Sequence, residues 1–295
     1  MANLSTEFLT TRELAELLHI KERKVYDLAA SGEVPCSRAT GKLLFPRRDI
    51  EAWIASRSSG GASERSNRYS RVFVGSQDPL LEWSLRASGA ALATLFDGSL
   101  DGLERFAQGE GQAAALHLYD PETAEWNVAA VRNRFEHAPA ALLEFAWRER
   151  GLIVAPALAG TIAEVADLRG RSISPRQETA GSQVLLRHLM AQAGMGPDDV
   201  QWSETARTES EAALAVHEGH ADATLGLKAM ARRLRLGFVP VIRERFDLLV
   251  DRAAWFDPPL QRLVGFCRSD GFRNKAAELT GYDISGFGTV HFNGG

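Results

Sequence analysis

The sequence predicts two joined units of different class: a small, mainly helical head and a larger α/β body. Three observations predict it. At 295 residues the chain exceeds one ordinary domain, and about two is the expected number. Its composition breaks at 56–70, SRSSGGASERSNRYS, where Ser, Gly and Arg displace almost every apolar residue. Beyond that break, short apolar runs alternate with turn residues and helical patterns, which is the rhythm of α/β structure. The expected boundaries are 1–56 for the head, 57–70 for a flexible linker and 71–295 for the body.

In the head, Leu14, Ala15, Leu17 and Leu18 recur at helical spacing behind Thr10 and Thr11, either of which suits an N-cap. A second helix starts near Lys21, with Val25 and Leu28 inward and Arg23, Lys24 and Asp27 outward; Gly32 ends it. Residues 34–39 and 42–46, separated by Thr40-Gly41, read as a short β-hairpin. Ile50, Trp53 and Ile54 mark a closing helix. Helix, turn, helix, wing and helix together read as a winged helix-turn-helix.

The body opens on an apolar strand at 71–75, a turn at Ser76-Gln-Asp-Pro79 and a helix carrying Leu80, Leu81 and Leu85. Strands follow at 91–96 and 113–119, with the turn Asp97-Gly-Ser99 and a helix over 100–109 between them. Further strands are expected at 151–155, 172–173, 221–226, 238–242 and 247–250, each beside a helical pattern. The sheets are expected to be mainly parallel.

Charge separates the two units. The net charge is −4, but residues 1–71 hold twelve Lys/Arg against nine Asp/Glu, leaving +3 on the head and −7 on the rest. Only the head is therefore expected to meet a polyanion. No run of about 18 apolar residues occurs, the first residues lack an apolar signal core, and a cytoplasmic protein without a membrane partner is expected. Cys36 and Cys267 are far apart and form no CxxC spacing, which argues against a zinc site or a disulfide framework.

The head resembles the helix-turn-helix of MerR-like and excisionase-like regulators. The resemblance rests on 8–18, Val25-Tyr26-Asp27-Leu28, Gly32-Glu33-Val34-Pro35 and 44–50. It implies that the second helix enters the major groove of a double-stranded operator, bringing Lys21, Arg23, Lys24 and Tyr26 to DNA. Arg38, Lys42 and Arg47 of the wing would meet phosphates. Their cationic groups release counterions, and exposed groups on a helix can reach base edges. A single head has a small footprint, so a homodimer or higher homo-oligomer on a palindromic site is expected.

The body resembles the PBP-like domain, a relative of type II periplasmic binding proteins and especially of molybdate-binding ones. Gly75–Leu81, Gly98–Leu103, His117–Thr123, Arg150-Gly-Leu152, Arg176-Gln177, Gly219–Asp222 with Leu225-Gly226-Leu227, and Glu244–Leu248 carry the likeness. It implies two lobes, one of about 71–120 with 243–295 and one of about 156–238, with the chain crossing near Tyr119–Ala155 and again near Phe238–Asp247 and ligand in the cleft between them. Independently of the likeness, Ser76, Ser99 and the Thr179/Gly181/Ser182 turn stand at or just before helix N-termini, where N–H groups and the helix dipole favour anions. Carried over, Ser76, Ser99, Ala180 and Leu227 would donate to a molybdate- or tungstate-like oxyanion, with a fifth contact at Phe246 and Tyr119 near the cleft. Phe246 lacks the hydroxyl that this position often carries, and Glu178 would repel an anion if it faced the site.

No catalytic residue and no tightly bound cofactor is expected. His217 and His220 are an i, i+3 pair without a third ligand, and Gly109-Glu-Gly111 lacks the strand–helix context of a nucleotide loop. The expected function is a ligand-responsive transcriptional regulator that is not an enzyme. The alternatives are an enzyme or binding protein of molybdenum-cofactor metabolism, and an excisionase-like DNA-bending protein.

Overall fold

The computed structural model describes residues 8–37, 41–47, 49–50, 53–54 and 71–295. The expected linker at 57–70 and the wing residue Arg38 lie outside them. Contacts divide the chain into two compact units, Met1–Arg68 and Tyr69–Gly295.

In the first unit, strand β1 (Phe8–Leu9) leads into α1 (Thr11–Leu17) and α2 (Glu22–Ala30); β2 (Phe45–Pro46) follows. Thr10 caps α1 through a capping box with Glu13, which satisfies two otherwise orphaned N–H groups. Gly32 at φ +72° turns the chain out of α2, and Glu33 N–H then reaches back to Leu28 O. Leu14, Val25, Ala29, Val34, Phe45 and Ile50 form the core. Residues 47, 49, 50, 53 and 54 are helical, and the Trp53 indole donates to Glu33 O. The wing departs from expectation. Among the described residues it holds one bridge, Ser37 to Leu44, and Phe45-Pro46 pairs instead with Phe8-Leu9. Pro46 has no N–H to extend a hairpin ladder, and Leu9 and Phe45 gain burial by this pairing.

The second unit contains β3 (Val72–Gly75), α3 (Pro79–Ala87), β4 (Ala93–Leu95), α4 (Ser99–Ala107), β5 (Ala113–Leu116), β6 (Tyr119–Asp120), β7 (Glu125–Trp126), α5 (Val128–Phe135) and β8 (Ala140–Val154). Then come β9 (Ser172–Ile173), α6 (Gly181–Gln192), β10 (Gln201–Trp202), α7 (Glu209–His217), β11 (Ala223–Leu227), α8 (Lys228–Leu234), β12 (Gly237–Asp251), α9 (Pro258–Cys267), α10 (Asp270–Leu279), β13 (Tyr282–Asp283) and β14 (Val290–Asn293). One ten-stranded sheet runs in the order β10-β9-β11-β8-β12-β5-β3-β4, with β13 and β14 also on β8. It is mixed, not mainly parallel. The β3/β4, β3/β5, β9/β10 and β9/β11 pairs are parallel, while β11/β8, β8/β12 and β12/β5 are antiparallel.

The antiparallel centre exists because β8 and β12, fifteen residues each, cross from one lobe to the other and pair along their length. One end packs with Phe73, Leu80, Leu248 and Phe272, and with Val74, Phe106 and Leu116 on the opposite face. The other end packs with Ile173, Leu185 and Leu225, and with Ala213 and Met230. Each end thus has its own core. Between the cores the two strands carry Trp147-Arg-Glu-Arg150 and Arg243-Glu-Arg245. Those charges made 238–242 and 247–250 look like separate strands, whereas they belong to β12.

Candidate functional site

Three loops meet where the lobes touch. Ser76 follows β3, Ser99 begins α4, and the 177–182 turn leads into α6. Ser76 Oγ and Ser99 Oγ are 2.7 Å apart, both buried, and Ser99 Oγ also accepts from His117 N–H at 3.0 Å. The contact between the lobes is close. Leu100 N–H donates to Thr179 O at 3.1 Å, and Thr179 Oγ1 donates to Asp97 O at 2.9 Å. Gly98 sits at φ +111°, and a Cβ there would lie 2.6 Å from Thr179 O. Only glycine permits this approach. Ser182 Oγ is buried without a hydrogen-bond partner, in the first turn of α6, whose leading N–H groups have no intrahelical acceptor.

Beside the serines lies a buried ionic network. Arg148 binds Asp78 Oδ2 at 2.8 Å and Glu244 Oε1 at 2.5 Å. Arg150 binds Glu209 Oε1 at 2.8 Å; its Nε lies 2.7 Å from Glu244 Oε2 as an ion-pair contact, with the N–H not aimed for a hydrogen bond. Arg176 reaches Glu209 at 3.4 Å, Tyr282 donates to Asp78, and His117 Nδ1 meets Glu244 Oε2 at 3.1 Å. Burial by itself would raise the Glu244 carboxyl, but Arg148, Arg150 and His117 outweigh it and hold it far below the usual range. The same opposition lowers Glu209, through Arg150 and Arg176. Burial drives His117 below the usual histidine range, so at neutral pH it is uncharged and its Nδ1–H donates to Glu244. Three arginines face three carboxylates, so the network is neutral as a whole.

The structure brings together Ser76, Ser99, Thr179, Gly181 and Ser182 of the expected set, with Gly181 against His117. Two other expectations need correction. Ala180 N–H is taken by Gln177 O at 2.9 Å and is not spare. Phe246 is fully buried, its ring beneath the Arg148 guanidinium at 4.0 Å and beside His117, so its side chain is core and offers no polar atom. Leu227 ends β11 opposite Arg150 with its side chain in a lobe core, so the group it would offer a ligand is its backbone N–H. Tyr119 stacks between Trp126 and His188 at the edge of the second lobe. Glu178 is exposed and paired with Arg187, which removes it as a repulsive group. Sequence reading missed Asp78, His117, Arg148, Arg150, Glu209 and Glu244 as site residues. The available signal was the alternating charge inside otherwise apolar strands. Among the described residues no cluster of three or more His, Cys, Asp or Glu could hold a metal.

On the first unit, Lys21, Arg23, Lys24 and Tyr26 are exposed at the start of α2, while Val25 and Ala29 are buried. Lys42 is exposed and Arg47 half-buried.

A family profile described as the PBP superfamily domain matches residues 82–268, more than half the chain. The chain belongs to the PBP superfamily. A helix-turn-helix domain profile matches residues 8–58 ahead of this PBP domain. Uncharacterized protein YvgK of Bacillus subtilis (strain 168) is 26% identical over 303 residues, covering 97% of this chain and 98% of its own. A substrate-binding protein from Clostridium perfringens with bound phosphate matches at TM-score 0.50 and 12% identity, over 70% of this chain and 96% of its own. An amino acid ABC transporter substrate-binding protein from Streptococcus pneumoniae, bound to L-arginine, matches at TM-score 0.48 and 8% identity, over 74% and 96%. A helix-turn-helix joined to a PBP-like domain fits a ligand-sensing, DNA-binding regulator and points to binding rather than turnover. No helix among the described residues is long and apolar enough to cross a membrane.

Proposed function

We propose that this chain is a one-component transcriptional regulator whose PBP-like domain closes on a small oxyanion, molybdate or tungstate being the first to try, and so changes operator affinity. One observation carries the reading. The Ser76–Ser99 hydroxyl pair of one lobe bonds to His117, which in turn packs against Gly181 in the first turn of α6 in the other lobe, where Ser182 Oγ lacks a partner. Such a set offers neutral donors from both lobes to one compact anion, and the neutral ionic network beside it neither adds nor demands charge. A protein of the same fold holds phosphate, also a tetrahedral oxyanion.

Proton counting sets the expected effect. Of the two serine hydrogens, one joins the pair and one remains for a ligand. A charge-assisted hydrogen bond contributes about 1.5–3 kcal/mol, so Ser76→Ala with Ser99→Ala should weaken oxyanion binding by about 10- to 150-fold. Calorimetric titration of the full chain with molybdate, tungstate, sulfate and phosphate measures this. Equal affinity in the wild type and the double variant would move the anion elsewhere. On the DNA side, the proposed contacts are Lys21, Arg23, Lys24 and Tyr26, with Lys42 and Arg47 on phosphates, in a homodimer.

A further inference from the structure

An open groove in the second unit lies away from the serines, and nothing above uses it. It measures about 540 Å³ and runs between helices of both lobes, α3 and α10 on one side, α7 and α8 on the other. Arg86, Arg232, Arg233 and Lys275 line it together with Glu82 and Glu278. Lys275 is engaged by Glu278 at 2.7 Å, and among the described residues Glu82 accepts only from Gln77 at 3.2 Å. Arg86, Arg232 and Arg233 form no ion pair among the described residues. Three arginines against one carboxylate leave two surplus positive charges. Pro79, Trp83, Ala229 and Leu279 supply an apolar wall, and Trp83 is half-buried with its ring tilted onto Phe266.

We propose that this groove is a second ligand site, taking a small organic dianion with an apolar body, such as an aryl phosphate. The surplus charge matches two negative charges, the guanidinium forks suit phosphate or carboxylate oxygens, and the Trp83 wall suits a ring. Arg86 belongs to one lobe, while Arg232 and Arg233 belong to the other. An occupant held by all three binds only while the lobes stand this close, so it favours the closed arrangement. The site is distinct from the serine pair, since neither Ser76 nor Ser99 lines it.

Phenyl phosphate at pH 8 and low salt is a suitable probe, titrated calorimetrically into the full chain, with benzyl alcohol as the uncharged control. The expected result is saturable one-site binding that weakens with added salt and is absent for benzyl alcohol. Arg232→Gln with Arg233→Gln should weaken it at least tenfold, and Arg86→Gln should weaken it by a smaller factor. All three side chains are exposed, so these variants should keep the wild-type circular dichroism spectrum and melting temperature. Ser76→Ala with Ser99→Ala should leave phenyl phosphate binding unchanged. No saturable binding at millimolar probe, or binding that survives the arginine substitutions, overturns the proposal. So does binding lost in the serine variant, which would put the probe in the cleft.

Discussion

Arg23 and Lys24 stand exposed on α2 while Val25, between them and Tyr26, is fully buried. A helix fixed in this way presents its charges in one direction. Replacing Arg23 and Lys24 by glutamine should therefore weaken binding to operator DNA by roughly 2 kcal/mol or more and flatten its salt dependence. Unchanged footprints would place the DNA-reading surface elsewhere. His117 makes a different residue-scale prediction. The unfolded chain takes up a proton near pH 6.5 that folded His117 refuses, so its contribution to stability is complete above about pH 6.5 and is lost as the pH falls below it. Asp247 acts in the opposite sense. Burial raises its carboxyl to about 6, so its contribution is present in acid and is lost as the pH rises through that value. Because the two oppose each other, the informative quantity is the difference in unfolding free energy between wild type and His117→Gln. That difference should shrink on going from pH 8 to pH 5. A difference constant with pH contradicts a buried, neutral His117.

At the scale of elements, β8 and β12 decide the architecture, and their charged middles are held together by Arg148, Arg150 and Glu244. Glu244→Gln would leave both arginines short of a buried counter-charge, a loss of about 3–5 kcal/mol. Urea unfolding of the two proteins measures it, and a loss below about 1 kcal/mol would mean that water, not protein, balances these charges. These strands also mark the limit of what the sequence discloses. The helices of the first unit were legible because Leu14, Ala15, Val25 and Ala29 keep one period, and local capping at Thr10 and Gly32 agrees with it. Ser76, Ser99 and Ser182 were legible because strand–turn–helix chemistry puts such residues at helix starts. The crossings near 119–155 and 238–247 followed from the family likeness alone, since residues 147–150 and 243–245 interrupt the hydrophobic pattern of β8 and β12 and find partners only in three dimensions. Ala180 looked like a spare donor because its bond to Gln177 O depends on how the turn closes.

For the whole molecule, two units of different chemistry share one chain. One exposes cations on a helix, and the other joins two lobes through a neutral polar hinge beside the buried Ser76–Ser99 hydroxyl pair. A helix-turn-helix and a PBP-superfamily domain act together only if ligand free energy reaches the DNA, which requires the ligand to bind two states of the chain unequally. The central measurement is therefore operator binding by the full chain, followed by fluorescence anisotropy, with and without the oxyanion that calorimetry selects. The account predicts a shift in DNA affinity of about 5- to 150-fold, in either direction, that disappears when Ser76 and Ser99 are both alanine. An oxyanion that saturates the protein and leaves DNA affinity unchanged would contradict it.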